Sequence, residues 1–320
     1  MSRIPTYNDI RDAYEKVKFY TNKTPVLTSS TFNEACSGSV FFKCENFQKA
    51  GAFKFRGACN TVLSLDRNEL SGGVVTHSSG NHAAALSLAA RLSGIPAYII
   101  MPSNAPSVKV DAVKHYGGTI TFCEPTLASR ESTAERVMKE TGSTLVHSYD
   151  DYRIIAGAAT AAYEFLEEVP DLDYLLAPVG GGGLISGTAL SAHYSERDVT
   201  VIACEPEKAN DAYLSFKEGR IVKVPTTDTI ADGLRTILSD KTFGIISKYV
   251  SEIVTVTENE IISAMRFVWE RMKIIIEPSS AVPAAALLSG KIKTDGKKTG
   301  VIISGGNVDL QNLPFSSKQG

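Results

Sequence analysis

The sequence predicts an α/β protein built on parallel sheets. Three observations carry this. Short, almost uninterrupted apolar runs recur along the chain, helix-like segments separate them, and glycine-rich turns stand where several of the runs end. A strand that is apolar on both faces belongs in a sheet covered on both sides, and a strand–helix alternation supplies the crossovers that parallel pairing needs. With 320 residues, 43% of them hydrophobic, the chain has enough apolar material for a large core.

In chain order, the first clear strand is Gly73-Val74-Val75-Thr76-His77, followed by a turn at Ser78–Asn81 and an alanine-rich helix from His82 to Gly94. A second strand covers residues 96–102, a helix runs to His115, and a third strand begins after Gly117 and Gly118. The pattern returns at residues 174–179, passes through Gly180, Gly181, Gly182 and Gly183 into a helix starting near Leu184, and reaches another strand at 199–206. The C-terminal part adds a helix over 261–273, a second alanine-rich helix after Pro278, and a last buried strand over 300–306. The chain contains no internal repeat, low-complexity tract or long linker, which favours two intimately packed domains over separate beads.

The formal net charge of −2 provides no long-range field to gather nucleic acid or an anionic membrane surface. The N-terminus carries charges among its first residues and lacks the apolar region of a secretory signal. The longest stretch free of charged residues, Tyr174 to Ser195, is interrupted by four glycines, so no segment reads as membrane-spanning. Five scattered cysteines (Cys36, Cys44, Cys59, Cys123, Cys204) lack the close pairs of a zinc or redox site and read as small buried hydrophobes in a reduced, cytoplasmic setting.

Five segments carry candidate chemistry. Gly180 to Gly183 stand where a buried strand becomes a helix, so backbone and helix start together suit an anion such as phosphate. The spacing fits neither a P-loop nor a dinucleotide fingerprint, and a plain tight turn is the simpler alternative. In Ala52-Phe53-Lys54-Phe55-Arg56-Gly57, a lysine between aromatic residues has the surroundings that lower an amine pKa toward the neutral, nucleophilic form. A surface lysine with its stem packed on phenylalanine explains the same pattern. Ser78-Ser79-Gly80-Asn81-His82 is rich in short donors that either cap a helix or hold a ligand. Ser304-Gly305-Gly306-Asn307 follows the last strand, where α/β sheets present loops to ligands, although an ordinary turn also accounts for it. The cluster from Glu205 to Asp211 offers oxygen donors to a hard cation, or is an acidic surface loop.

Taken together and in this order, these motifs resemble the fold-type II pyridoxal-phosphate enzymes, of tryptophan synthase β-like architecture, and within them the serine racemases and serine/threonine dehydratases. The likeness extends from Pro5 almost to Leu310, and Thr24–Ser30, Phe41–Glu45, Val75–Ser79 and Trp269–Lys273 favour the racemase branch. The resemblance implies two open parallel α/β domains, a large one from residues 1–68 and 148–320 and a small one from 69–147 that closes over the substrate. It implies a Schiff base at Lys54 to pyridoxal 5'-phosphate, with Phe53 beside the ring, Gly180–Gly183 on the phosphate, Asn81 on the ring hydroxyl and Ser304 on the pyridine nitrogen. A serine there does not hold the ring nitrogen protonated as a carboxylate does, which favours elimination or reprotonation over transamination.

The resemblance further implies Ser79 as the second acid/base opposite Lys54, with Ser78, Asn81, His82 and Arg130 near the substrate carboxylate. A divalent cation (Mg2+, Ca2+ or Mn2+) is expected on Glu205, the Ala209 carbonyl and Asp211, and a homodimer is the expected assembly. ATP is a candidate effector at Ser29, Ser30, Thr31, Lys49, Tyr116, Lys273 and Asn307, although Ala50 and Ala84 replace polar family residues there. Departures from the family pattern fall at Ala158-Ala159, His147-Ser148 and Tyr149, and leave Lys54 and the glycine loop intact. The activity implied is interconversion of L- and D-serine with β-elimination of serine to pyruvate and ammonia. The alternatives are a threonine or 3-hydroxyaspartate dehydratase, an aspartate racemase, or a cofactor-binding protein that has lost turnover.

Overall fold

Ten strands form in a computed structural model that describes residues 1–78 and 80–315. They are β1 (Val26–Thr28), β2 (Ser39–Cys44), β3 (Val74–His77), β4 (Ala97–Pro102), β5 (Thr119–Cys123), β6 (Thr144–Leu145), β7 (Tyr174–Pro178), β8 (Thr200–Pro206), β9 (Glu252–Val256) and β10 (Lys298–Ile303). They assemble into two sheets. One has the order β1-β2-β10-β7-β8-β9, and the other the order β5-β4-β3-β6. The second sheet is parallel throughout, and in the first only β1 runs antiparallel to its neighbour.

Every apolar run read from the sequence is a strand here, within one to three residues at its ends. β1, β2, β6 and β9 lie outside that reading because they are short or mixed in polarity, and their pairing comes from neighbours far along the chain. The last strand, β10, enters the middle of the six-stranded sheet, with Ile303 level with Cys44 of β2 and Val301 level with Leu176 of β7.

Successive residues on a strand face opposite sides, and the cores follow that rule. Val301 and Ile303 pack with Phe32, Phe42, Met265 and Val282 on one face of the large sheet, while Ile302 packs with Phe165, Leu175 and Ile246 on the other. In the small sheet, Val74 and Ile99 join Phe55 and Leu86, whereas Val75 and Ile100 meet Ala134 and Val137. Both sheets are therefore covered on both faces, as the unbroken apolar runs require.

Helices Lys54–Val62, Tyr152–Glu168 and Gly183–Tyr194 cross with almost no space between their backbones. A Cβ on Gly157 would sit 2.6 Å from the Arg56 carbonyl oxygen, and one on Gly187 would sit 2.6 Å from the Ala159 nitrogen. The buried run Ala156-Gly157-Ala158-Ala159 is thus a packing stripe, and small side chains there set how closely the Lys54 helix is held.

That helix is also fixed by buried charge. Arg56, with no exposed surface, donates to both oxygens of Glu45 at 2.7 and 2.8 Å and to both oxygens of Glu164 at 2.8 and 2.9 Å. Lys43 joins the cluster through Glu164 and Glu168, each at 3.0 Å, and through the Thr24 carbonyl at 2.9 Å. Burial opposes the charge on Glu164, yet Arg56 and Lys43 hold its pKa below the ordinary value. All five cysteines are free, and burial pushes the thiols of Cys44 and Cys59 up to about 12, as expected of packed apolar residues. Among the described residues no helix is long and apolar enough to cross a membrane.

Arg56→Met will lower unfolding stability by about 3–5 kcal/mol, because Glu45 and Glu164 are left buried without their partner. Denaturant unfolding followed by circular dichroism measures this, and a loss under about 1 kcal/mol would show that the cluster does not hold the helix.

Candidate active site

The chemistry-bearing loops leave the carboxyl ends of parallel strands, where such sheets open onto a crevice. Ser78 follows β3, Gly180 follows β7 after Val179, and Ser304 follows β10 directly. Lys54 begins its helix next to these loops because segment 51–53 is stitched to segment 304–306. Phe53 N–H donates to the Ser304 carbonyl at 2.9 Å, Gly306 N–H donates to the Gly51 carbonyl at 2.9 Å, and Ala52 and Gly305 form an isolated bridge. Gly51 adopts a φ of 69°, which lets the chain turn tightly into this contact.

Lys54 Nζ donates to the Ser148 carbonyl at 2.8 Å and lies 5.1 Å from the centre of the Phe53 ring. Burial lowers its pKa to about 8, and the Glu277 carboxylate raises it against that trend. About a tenth of such an amine is neutral at pH 7, hundreds of times more than for an ordinary lysine. The lysine is therefore a competent nucleophile toward an aldehyde.

The four glycines have no room for side chains. A Cβ on Gly180 would meet Leu234 Cα at 2.7 Å, on Gly181 the Tyr149 ring at 2.5 Å, on Gly182 Thr242 Cβ at 2.7 Å, and on Gly183 Tyr149 Cβ at 3.0 Å. Gly182 also has a φ of 88°, and Thr236 Oγ1 accepts the Gly181 N–H at 2.9 Å. The helix Gly183–Tyr194 starts here, so its unpaired first N–H groups and positive dipole end face the loop. Tyr149, which the sequence marks as a departure, packs its ring directly on this cradle.

Asn81 opens the helix Asn81–Leu92. Its Nδ2 donates to both oxygens of Glu277 at 2.9 and 3.0 Å, and its Oδ1 accepts from Asn307 Nδ2 at 2.9 Å. Asn307 is anchored in turn on the Ala50 carbonyl at 2.8 Å. Burial pushes Glu277 up to about 7, helped by the charge of Asp232. Ser304 is buried, with its Oγ 2.9 Å from Ser280 Oγ.

His82 is buried, and its Nε2 donates to the Val146 carbonyl at 3.2 Å, while Nδ1 has no partner among the described residues. Burial and the nearby Lys54 bring its pKa to about 3, so its ring is neutral and carries no charge for a carboxylate. His147 Nδ1 accepts the N–H groups of Tyr149 and Asp150 at 3.3 and 2.9 Å, and burial lowers it to about 4. Arg130 stands in the first turn of helix Leu127–Thr141, with its Nε buried and unpartnered among the described residues. Ser78 sits at the end of β3, and Ser79 lies outside the described residues.

Residues 17–305 match the family model described as "Pyridoxal-phosphate dependent enzyme". The chain belongs to this family. It is 50% identical to the beta-hydroxyaspartate dehydratase of Paracoccus denitrificans over 98% of this chain and 99% of that protein. It is also 50% identical to a serine racemase of Arabidopsis thaliana, over 97% and 95% of the two chains. The structure of maize serine racemase superposes with a TM-score of 0.95 at 44% identity, covering 97% of this chain and 95% of that one.

The site of this pyridoxal-phosphate enzyme fits its cofactor on its own geometry. A lysine with a depressed pKa, a cradle too narrow for any Cβ at a helix start, and buried amide and hydroxyl groups suit an aldehyde, a phosphate and a polar heteroaromatic ring respectively. Glu277, Ser280 and Thr236 contribute to this arrangement without a role in it having been read from sequence. Only the pairing of distant loops places them, although Glu277-Pro278 does mark the start of helix Pro278–Leu288.

Of the positions proposed for other ligands, Asn307 belongs to this arrangement, and Asp211 adjoins it through Leu238, which packs on Gly182. Ser29 caps helix Ser30–Cys36 by accepting the Phe32 N–H at 3.3 Å, and Thr31 lies in the first turn of that helix. Tyr116 packs against Arg91 at 5.7 Å, Lys49 precedes Ala50, and Lys273 ends helix Glu258–Met272 in a left-handed conformation. Glu205 accepts from the N–H groups of Ala212 and Tyr213 at 2.9 and 2.8 Å. Asp211 accepts from Leu238 N–H at 3.1 Å through Oδ2, leaving Oδ1 buried and unpartnered among the described residues.

Glu277→Gln will remove the anion that keeps Lys54 protonated and lower the lysine pKa below about 8. Capture of pyridoxal phosphate by the apo-protein then reaches its half-maximal rate at lower pH than in the wild type. A profile that is unchanged or moves to higher pH would contradict this coupling.

Proposed function

We propose that this chain interconverts L- and D-serine and also eliminates water from serine to give pyruvate and ammonia. The observation that carries the reading is the half-buried Lys54 with its lowered pKa, beside the strand-end loops that include the glycine cradle and Ser304, in a chain whose relatives at about half identity include serine racemases. When bound, the cofactor supplies an electron sink that loosens the Cα proton of an amino acid. Lys54 would bind it covalently, Phe53 would lie beside its ring, and Gly180–Gly183 would hold its phosphate. Asn81 and Ser304 would meet the ring hydroxyl and nitrogen.

Lys54 moves a proton at Nζ on one face of the substrate Cα, and Ser79 does so through its hydroxyl on the other. Two positioned groups on opposite faces are what inversion requires. The turn Ser78–His82 and Arg130 receive the substrate carboxylate, using the free N–H groups at a helix start and the one cation among them. His82, being neutral, serves through its backbone. Residues 69–147 move as a small domain against 1–68 and 148–320, closing the site to water.

A divalent cation rests on Glu205, Asp211 and the Ala209 carbonyl. The unpartnered Asp211 oxygen supports this assignment, as do two buried carboxyls that burial, and for Glu205 the charge of Asp211, push toward the neutral form. The assembly is a cytoplasmic homodimer with ATP as a candidate effector at Ser29, Ser30, Thr31, Lys49, Tyr116, Lys273 and Asn307. A second reading, elimination from 3-hydroxyaspartate, is favoured by the identity to the Paracoccus dehydratase. A substrate panel scored together for enantiomer and keto-acid separates the two.

Lys54→Ala will lose the visible cofactor band and all turnover, and cofactor reducible by borohydride onto another lysine would overturn the assignment. Ser79→Ala will impair racemisation in both directions and elimination from D-serine far more than elimination from L-serine. An equal fall in all four kcat/KM values would instead assign Ser79 a positioning role. Chelation will lower the melting temperature and Mg2+ will restore it, whereas an unchanged melting curve would remove the cation from this loop.

A further inference from the structure

Three of the four cradle glycines lean on one segment, residues 234–242. Leu234 Cα stands 2.7 Å from where a Cβ on Gly180 would be, and Thr236 Oγ1 accepts the Gly181 N–H. Leu238 Cδ2 and Thr242 Cβ stand 2.9 and 2.7 Å from a Cβ on Gly182, the residue that caps helix Gly183–Tyr194. Leu238 is buried, in the core that also holds Leu184, Ala212 and Ile246. Its side chain therefore sets how firmly the cradle is backed where the helix begins.

The main chain of Leu238 is held from the acidic loop, since its N–H donates to Asp211 Oδ2 at 3.1 Å across 27 residues. The two carboxylates of that loop are anchored unequally. Glu205 accepts the N–H groups of Ala212 and Tyr213 at 2.9 and 2.8 Å, whereas Asp211 accepts that of Leu238 and leaves Oδ1 buried and unpartnered among the described residues. The torsion that orients an aspartate carboxylate is soft, so a cation taking Oδ1 fixes its plane and with it the acceptor for the Leu238 N–H. We propose that Leu238 is a positioning residue that joins the cation loop to the phosphate cradle, so that a divalent cation and the cofactor phosphate each strengthen the binding of the other. This coupling rests on the cofactor and cation readings above. Linkage makes it reciprocal, with one factor describing the effect of either ligand on the other. It belongs to the phosphate end of the cofactor and not to the aldehyde end on Lys54.

The full-length apo-protein is titrated with pyridoxal phosphate and, separately, with pyridoxal, each at saturating Mg2+ and with a chelator. Mn2+ affinity is measured by electron paramagnetic resonance in apo-protein and holoenzyme. Mg2+ is expected to tighten pyridoxal phosphate by at least about fivefold and to leave pyridoxal unchanged, and the holoenzyme to bind Mn2+ more tightly than the apo-protein by the same factor. In Leu238→Ala both ligands still bind and the factor falls away, and Leu238→Met, which refills the space, restores it. A through-space attraction between cation and phosphate survives Leu238→Ala, so a full factor in that variant, at unchanged circular dichroism, overturns the proposal. Wild-type protein that binds both ligands with no effect of either on the other overturns it whether or not the variants fold, and leaves the cofactor and cation readings standing. Equal tightening of pyridoxal overturns it too. Mn2+ that fails to bind, or binds Asp211→Asn undiminished, defeats the cation reading, and cofactor that borohydride does not fix on Lys54 defeats the cofactor reading; the coupling falls with either.

Discussion

The charge cluster on Arg56 is the constraint on which the site depends. Arg56 stands two positions after Lys54, and the guanidinium grips carboxylates from the turn after β2 and from the long helix Tyr152–Glu168. Guanidinium and carboxylate meet in paired, planar contacts that define direction as well as distance. The start of the Lys54 helix is thus located with respect to both the large sheet and the glycine-lined helix crossing. Lys43 offsets the second carboxylate that Arg56 holds, and Lys23 reaches Glu168 from the surface. Such clusters are costly to bury and contribute little net stability over an apolar replacement, so their use here is geometric.

With the lysine located, the rest of the site follows from loops at the ends of strands that are neighbours in space and distant in sequence. The short bridge between segments 51–53 and 304–306 ties the lysine to the serine at the far end of the chain. The chain from Glu277 through Asn81 and Asn307 to Ala50 ties the small sheet to the same region. Each polar group in these links is satisfied by another that is itself anchored, which is how a site keeps its geometry before its ligand arrives.

Much of this was legible in the sequence because local patterns carried it. The nearly continuous apolar runs at 73–77, 96–102 and 300–306 announce buried parallel strands, and the tetraglycine marks a backbone that must pack closely. Lys54 was recognisable as a candidate by its aromatic flanks, although burial, its true cause of acidification, is visible only in three dimensions. Glu277 and Ser280 were not legible as site residues, since an acidic residue before proline and a serine in a first helical turn are ordinary helix-start signals. Asn307, placed by resemblance with the effector positions, turns out to hold Asn81. Ala158 and Ala159, noted as departures from the family pattern, lie in the helix Tyr152–Glu168 where Gly187 packs against Ala159. In each case the deciding partner sits on another element, at a separation that runs from 24 residues for Ser280 to 226 for Asn307.

The position of β10 bears on how the molecule comes into being. The strands of the four-stranded sheet lie between residues 74 and 145, so their partners emerge from synthesis together and can pair while the remainder is still being made. The six-stranded sheet has no such option. Its second strand must wait for the last one, and until residues 298–303 arrive β2 and β7 have no neighbour between them. The exposed edges of a half-made sheet invite pairing with other chains. Late completion makes this half of the molecule the one most dependent on protection during synthesis, and it makes truncation near the C-terminus a defect of the central sheet rather than of its rim.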